Sequence, residues 1–378
     1  MAYNTKKLSN QELRQINKNV IFRYLYDNDC VSKQDISTAL SLSMPTVNQN
    51  IKELTEDGLV VAAGNFESTG GRKAVAITYN KSAVFSVGIA ITMNNIRIVV
   101  VDLSGEQLYY RKYKCGFEVS DSYAEKLTGY LNASIEESGV DSTKILGVGI
   151  SVPGIIENEK DFIIKIAPSL HAKNQPLTYI TEKIEYEVMV DNDAYLGGVA
   201  ELWNGKSEKT VAYIYVDKGV GGTIFIDNKP FKGEKNMSAE FGHMVIHPHG
   251  NRCNCGKTGC FEAYISTDRL SEDLGISLAE FFKRLDAGDG EVKERFEKYL
   301  DDLCIGLSNI NTILDADVVL GGSIVEYIDD YIGEIDRKLS EMNPFEKDRY
   351  FHIAKIKRAK ASAIGAALYF IERFIENI

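Results

Sequence analysis

Cys253-x-Cys255-x4-Cys260 places three thiols within eight residues of an otherwise ordinary acidic chain. Such a cluster can hold a metal, close a disulfide or supply a nucleophile. His243 lies ten residues upstream and completes a Cys3His set, which suits tetrahedral zinc. His247 and His249 compete with it for the fourth position. Four protein ligands close a metal site, so the expected role is structural rather than catalytic. The competing reading is redox-active cysteine. Cys30, Cys115 and Cys304 stand alone and read as ordinary buried thiols.

Carboxylates surround this cluster in sequence. Glu240 precedes His243 by three residues, and Glu262 follows Cys260 by two. Asp191-Asn192-Asp193 ends a strand-like run, where open α/β sheets gather their ligand contacts. Paired carboxylates and an imidazole are good hydrogen-bond partners for sugar hydroxyls, although each alone reads as a surface acid. Two glycine turns, Lys218–Thr223 (KGVGGT) and Leu320–Ser323 (LGGS), also follow strands. They allow backbone N–H groups close to a phosphate, but such turns are common.

The elements that would position these groups form two blocks. The chain has 378 residues and a net charge of −11, which argues against a wholly basic nucleic-acid binder. Residues 1–80 carry nine Lys/Arg against eight Asp/Glu, and the remainder carries thirty-four against forty-six. A near-neutral module thus precedes an acidic body. The first residues lack the apolar core of a signal peptide. No apolar run approaches the ~20 residues of a membrane span. A cytoplasmic protein with reduced cysteines is expected, which favours zinc over a disulfide.

Within residues 1–80, apolar spacing predicts a helix over 11–26, a second from Ser32 to Leu40, and a third capped by Ser43 with Pro45 in its first turn. Val47, Ile51 and Leu54 should face inward, and Gly58 should end the third helix. Two strand-like runs follow. Three helices and a hairpin read as a winged helix-turn-helix. Thr46, Asn48, Gln49 and Lys52 lie off the buried stripe, and Asn or Gln can read adenine in a major groove. Arg72 and Lys73 sit beside paired glycines, within reach of phosphate or minor groove. Small winged helices also serve as protein-interaction modules, so DNA is not the only partner this pattern fits. From residue 81 onward, strand-like runs alternate with helices, as in an α/β body.

Taken together, the motifs resemble the ROK family of repressors, uncharacterised reading frames and sugar kinases, and its repressors in particular. The winged helix with STGGRK is followed in order by SVPG, DNDA, GVGG, AEFGHM, CNCGKTGCFE and LGGS. The resemblance spans nearly the whole chain. It implies a two-lobed actin-like ATPase fold with ribonuclease-H-like halves behind the winged helix. The boundaries expected are 1–80 for the DNA-binding domain and 81–378 for the sugar-binding domain. One lobe would comprise about 81–192 plus the C-terminal helix, the other about 193–360. It implies zinc at His243, Cys253, Cys255 and Cys260, and sugar contacts from Gly154, Asn192, Asp193, Glu240, His243 and Glu262. His243 would bind zinc through one ring nitrogen and sugar through the other.

Two departures shape the functional expectation. Family kinases carry Asp-x-Gly-Gly-Thr after the first strand, to cradle ATP phosphates. Here Ala90 replaces the Asp, and Thr92-Met93 replace the glycines. The Met side chain obstructs close approach of phosphate, and the carboxylate that helps organise Mg²⁺ is missing. Asp193 matches the kinase base, but a base without a held phosphate donor transfers nothing. Ser169 stands where the family often has an Asn that contacts sugar. The expectation is therefore a sugar-responsive repressor without kinase activity. It would act as a homodimer or dimer of dimers on pseudo-palindromic operator DNA, released by a sugar effector. The alternatives are a sugar kinase fused to a winged helix, and a regulator controlled by a protein partner.

Overall fold

Three serines start the N-terminal helices in the computed structural model, which describes residues 9–66, 75–157, 161–203, 210–234, 237–342, 349–354 and 360–378. Ser9 caps α1 (Asn10–Asp27), Ser32 caps α2 (Lys33–Leu40) and Ser43 caps α3 (Met44–Glu56). Each hydroxyl accepts from the backbone N–H three residues on, satisfying one of the donors a helix leaves unpaired. Pro45 lies in the first turn of α3, and Val47, Ile51 and Leu54 are buried. Gly58 follows the helix at φ +73°. β1 (Val60–Asn65) and β2 (Val75–Tyr79) pair antiparallel, completing a winged helix-turn-helix. The hairpin tip that would carry Arg72 and Lys73 lies outside the described residues.

The body repeats one topology twice. β3 (Phe85–Ile91), β4 (Asn95–Asp102) and β5 (Gln107–Lys114) form an antiparallel meander. After α4 (Asp121–Ser138), β6 (Ile145–Val152) pairs parallel to β3. β7 (Ile155–Glu157), β8 (Ile163–Ala167) and β9 (Ala172–Pro176) make a small separate sheet. Beyond the short α5 (Thr178–Thr181), β10 (Val188–Asn192) pairs parallel to β6. The resulting sheet has the order β10-β6-β3-β4-β5.

α6 (Asp193–Leu202) then leads into the second half. β11 (Val211–Val216), β12 (Val220–Ile226) and β13 (Lys229–Phe231) repeat the meander. The short α7 (Glu262–Ile265) and α8 (Thr267–Leu270), then α9 (Leu278–Asp286) and α10 (Gly290–Leu314), precede β14 (Asp317–Gly322). α11 (Ile332–Met342) and β15 (Phe351–Ile353) follow. The second sheet runs β13-β12-β11-β14-β15, the same plan as the first.

Each sheet buries its own core. Val87, Ile89, Leu127, Ile150 and Val190 pack together in the first half. Phe261, Phe281, Phe296, Leu300 and Phe351 do so in the second. Fully burying a side chain of this size contributes about 1.5–3 kcal/mol. The last element, α12 (Ala361–Glu376), returns to the first half, where Ala363, Ala367 and Leu368 cluster with Val99 and Val101. Among the described residues, no helix is long and apolar enough to cross a membrane.

One sequence expectation fails here. Cys115 and Cys304 are buried, but Cys30 is exposed. It lies in the polar turn between α1 and α2, where no core reaches it.

Candidate functional site

The glycine-bearing loop folds back so that His243, Cys253, Cys255 and Cys260 present ligand atoms all within 4.8 Å of one another. Cys253 N donates to Lys257 O at 2.9 Å, and Gly256 N donates to Cys253 O at 3.0 Å, which curls the loop around the thiols. Cys255 and Cys260 bring their sulfurs to 3.7 Å, and Cys253 Sγ lies 3.7 Å from His243 Nδ1. A disulfide would need about 2.05 Å. Tetrahedral zinc with Zn–S bonds of about 2.3 Å separates its sulfurs by about 3.8 Å, so this donor set and spacing fit zinc. Burial pushes the Cys253 thiol up to about 12, and a bound dication reverses that preference by favouring the thiolate. Of the competing histidines, His247 bonds through its ring to Asp302 on α10, and the cluster of ligand atoms does not include it.

The loop also carries the carboxylates. Glu262 opens α7, just after Cys260. One of its oxygens accepts from Val220 N at 2.9 Å, and the other lies 3.6 Å from Cys253 Sγ. Glu240 is raised by burial and by the charge of Glu262, while His243 opposes the shift. Asp193, in the first turn of α6, is raised to about 6 by burial, with Asp217 and Glu240 adding like charge and the Ala194 N–H opposing. Glu240 thus lies in electrostatic reach of Asp193, His243 and Glu262.

Gly154 and Asn192 are tied to each other. The Asn192 Nδ2 amide donates to Gly154 O at 2.8 Å, and its Oδ1 caps α6 by accepting from Tyr195 N at 2.9 Å. Gly154 has φ +100°, and a Cβ there would lie 2.2 Å from Ile166 O, so no side chain fits. The six sequence-expected ligand residues come from β10, α6, the turn after β6 and the cysteine loop with its flanks, and they are linked pairwise through Asn192–Gly154, Asp193–Glu240, Glu240–His243 and Glu240–Glu262.

Sequence reasoning missed two neighbours. Asp217 directly follows β11 and acts on Asp193 by charge; its place directly before the KGVGG turn was the available signal. Lys232 reaches Asp191 Oδ2 at 2.7 Å and lies 4.0 Å from the Tyr195 ring centroid. That pairing joins residues 41 apart in sequence, and no local pattern marks it.

The Thr92–Asn95 turn is a closed hairpin. Thr92 N donates to Asn95 O at 2.9 Å, and Asn95 N donates to Thr92 Oγ1 at 3.2 Å. The Met93 and Asn94 carbonyl oxygens accept from Phe117 and Cys115 N–H groups, and the Met93 side chain packs on the first core. Ala90 is buried on β3.

On the winged helix, Asn48, Gln49 and Lys52 are exposed along α3. Thr46 is less free than expected: its hydroxyl bonds to Ser43 Oγ at 2.8 Å. Asn48 Oδ1 accepts from Lys33 Nζ at 2.9 Å, which brings a cation beside the exposed face.

The chain matches the ROK family over residues 86–373 and the winged helix-turn-helix DNA-binding family over residues 14–61. It is 28% identical to a xylose repressor of Caldicellulosiruptor bescii, over 93% of this chain and 94% of that protein. It is 29% identical to an N-acetyl-D-glucosamine kinase of Escherichia coli, over 58% of this chain and 77% of the kinase. Among solved structures, a ROK family transcriptional regulator, a homologue of the E. coli MLC protein, superposes with a TM-score of 0.77 at 20% identity, covering 97% of each chain. An N-terminal winged helix joined to the two-lobed actin-like body is thus the fold, and the chain belongs to the ROK family.

Proposed function

We propose that the protein is a sugar-responsive transcriptional repressor of carbohydrate-utilisation genes, which leaves its operator when an aldose such as D-xylose binds. The observation that carries this reading is the union, in one chain, of an exposed Asn48–Gln49–Lys52 face with a set of polar groups in which Asn192 bonds to Gly154 and Glu240 feels the charges of Asp193, His243 and Glu262. Xylose repressors similar along their whole length support the choice of function and of sugar.

His243, Cys253, Cys255 and Cys260 would hold zinc, which would fix the loop and the imidazole tautomer and leave the other ring nitrogen for a sugar hydroxyl. Asp193, Glu240 and Glu262 accept hydrogen bonds from further hydroxyls. The closed Thr92–Asn95 hairpin, whose Met93 packs on the first core, argues against the kinase reading, because it lacks the glycines that admit phosphate. Asn48, Gln49 and Lys52, with Thr46 at the helix start and Arg72 and Lys73 on the wing, contact operator DNA. The protein works in the cytoplasm as a homodimer or dimer of dimers, with residues 1–80 on DNA and 81–378 on sugar.

Calorimetry of the purified chain against a sugar library, paired with gel shifts on DNA, tests the reading. Saturable sugar binding that weakens DNA binding is expected. DNA binding indifferent to every sugar would remove the effector role.

A further inference from the structure

α6 begins at the candidate site and ends on the winged helix. Asn192 caps its start and Asp193 lies in its first turn. Its other end is capped by Trp203, whose indole N–H donates to the Tyr26 hydroxyl oxygen at 3.2 Å. Tyr26 belongs to the last turn of α1, and its ring packs on that of Tyr79 in β2, with centroids 4.9 Å apart. Ala200, Val199 and Trp203 share one continuous apolar cluster with Ile21, Phe22 and Leu25 of α1 and with Ile51 and Leu54 of α3. The far end of α6 therefore belongs to a cluster that runs from β4 and α12 of the body into the DNA-binding domain.

A second contact holds α1 from the side. The Asn19 amide donates to Ile375 O at 2.8 Å and to Glu376 O at 3.1 Å, capping carbonyls that α12 leaves free at its end. α12 lies directly on α6: a Cβ at Gly365 would sit 1.8 Å from Leu196 O. α1 in turn grips α3 through Lys18–Asp57 at 2.6 Å and through Arg14–Glu53. From Asn192 to α3, each step is a contact between regular elements. α6 also runs from the end of the first sheet towards the second, so a change in lobe angle must act on it.

We propose that α6, through the Trp203–Tyr26 contact, carries effector occupancy to the recognition helix α3, with the Asn19 clamp on α12 serving as the pivot for α1. Tyr26, Trp203 and Asn19 are positioning residues, lying neither in the proposed ligand site nor on α3. The proposal rests on the sugar-responsive reading above.

Trp203 is the only tryptophan, so intrinsic emission of the full-length protein reports this contact without a label. The probes are D-xylose and a DNA duplex selected from a random pool by the wild-type protein. D-xylose should shift Trp203 emission with the same midpoint as its calorimetric isotherm. Tyr26→Phe, which removes one hydroxyl, should keep the free protein's sugar affinity within about twofold of wild type. The ratio of its DNA affinities without and with D-xylose should fall about 3- to 10-fold, the range one hydrogen bond spans. Trp203→Phe and Asn19→Ala should move that ratio in the same direction. A simple loss of stability would instead lower sugar affinity and thermal midpoint together. Wild-type ratios in all three variants, beside a responsive wild type, overturn the proposal alone. A wild type whose DNA affinity no sugar changes removes the functional reading and the proposal with it.

Discussion

Asn192 and Gly154 are tied by one hydrogen bond of 2.8 Å, from the side-chain amide to the backbone carbonyl oxygen. The same side chain caps α6 through its other atom. A single residue thus fixes both the turn after β6 and the start of the helix that follows β10. Asn192→Ala should lose the cap, costing about 1 kcal/mol of stability, and should weaken sugar binding by about tenfold. Asn192→Asp keeps a capping oxygen but sets an acceptor against Gly154 O. It should melt closer to wild type and still bind sugar poorly. Wild-type sugar affinity in Asn192→Asp, measured by calorimetry, would deny the tether any role.

If the cysteine loop holds zinc as proposed, metal content and sugar response should fall together. Cys255 is the exposed member of the ligand set, so Cys255→Ser should still fold. Purified wild type should carry about one zinc per chain by atomic absorption. The variant should lose both metal and sugar response. Zinc lost with sugar affinity intact would break the link between metal and ligand.

Asp193 sets a pH dependence whose sign follows from its environment. Burial raises it to about 6, reinforced by Asp217 and Glu240, whereas an unfolded Asp ionises near pH 3.9, roughly two units lower. The folded protein therefore holds this proton more tightly. Its stabilising contribution is complete below about pH 4 and is lost as pH rises through about 6. Asp193→Asn should accordingly be more stable than wild type above pH 7, by at most about 3 kcal/mol, and equal to it near pH 4. Denaturant melts across that range check it, and a gap independent of pH would contradict it.

The Thr92–Asn95 hairpin predicts an absence of turnover. Pure protein with ATP, Mg²⁺ and a sugar panel should phosphorylate nothing above background. Met93→Gly should not create activity, because Ala90 still supplies no carboxylate. It should instead cost about 1–3 kcal/mol of stability by emptying space in the first core. Clear phosphorylation by wild type would restore the kinase reading.

On DNA, Asn48 and Gln49 should specify and Lys52 should hold. Asn48→Ala or Gln49→Ala should cost about 1–3 kcal/mol at particular base pairs. Lys52→Ala should weaken all duplexes evenly and reduce the salt slope by about one. All three side chains are exposed, so melting temperatures should stay near wild type. Equal losses on every sequence for Asn48→Ala would reassign it to backbone contact.

What the sequence disclosed was local. Ser32 and Ser43 announce helix starts because a cap needs only three residues of context. The metal cluster is legible because its three cysteines share one loop, with His243 ten residues away. Strand runs such as Ile145–Val152 are legible from their unbroken apolar character. The small sheet of β7, β8 and β9 passed unnoticed, since its strands are short and half exposed. Cys30 looked like its buried counterparts because residue type alone says nothing about which turn reaches a core. Trp203 meeting Tyr26 across 177 positions, and Asn19 meeting α12 across 356, leave no trace in spacing.

α12 covers β3 and β6, strands made long before it. During translation the first sheet emerges with an open apolar face and keeps it until residues 361–376 leave the ribosome. The winged helix, threaded out earlier, meets the same helix through Asn19. A nascent chain that stalls in between has strands awaiting their cover, a state that invites chaperones and proteases. A chain cut before α12 should therefore leave the first sheet uncovered and release the winged helix from its Asn19 contact.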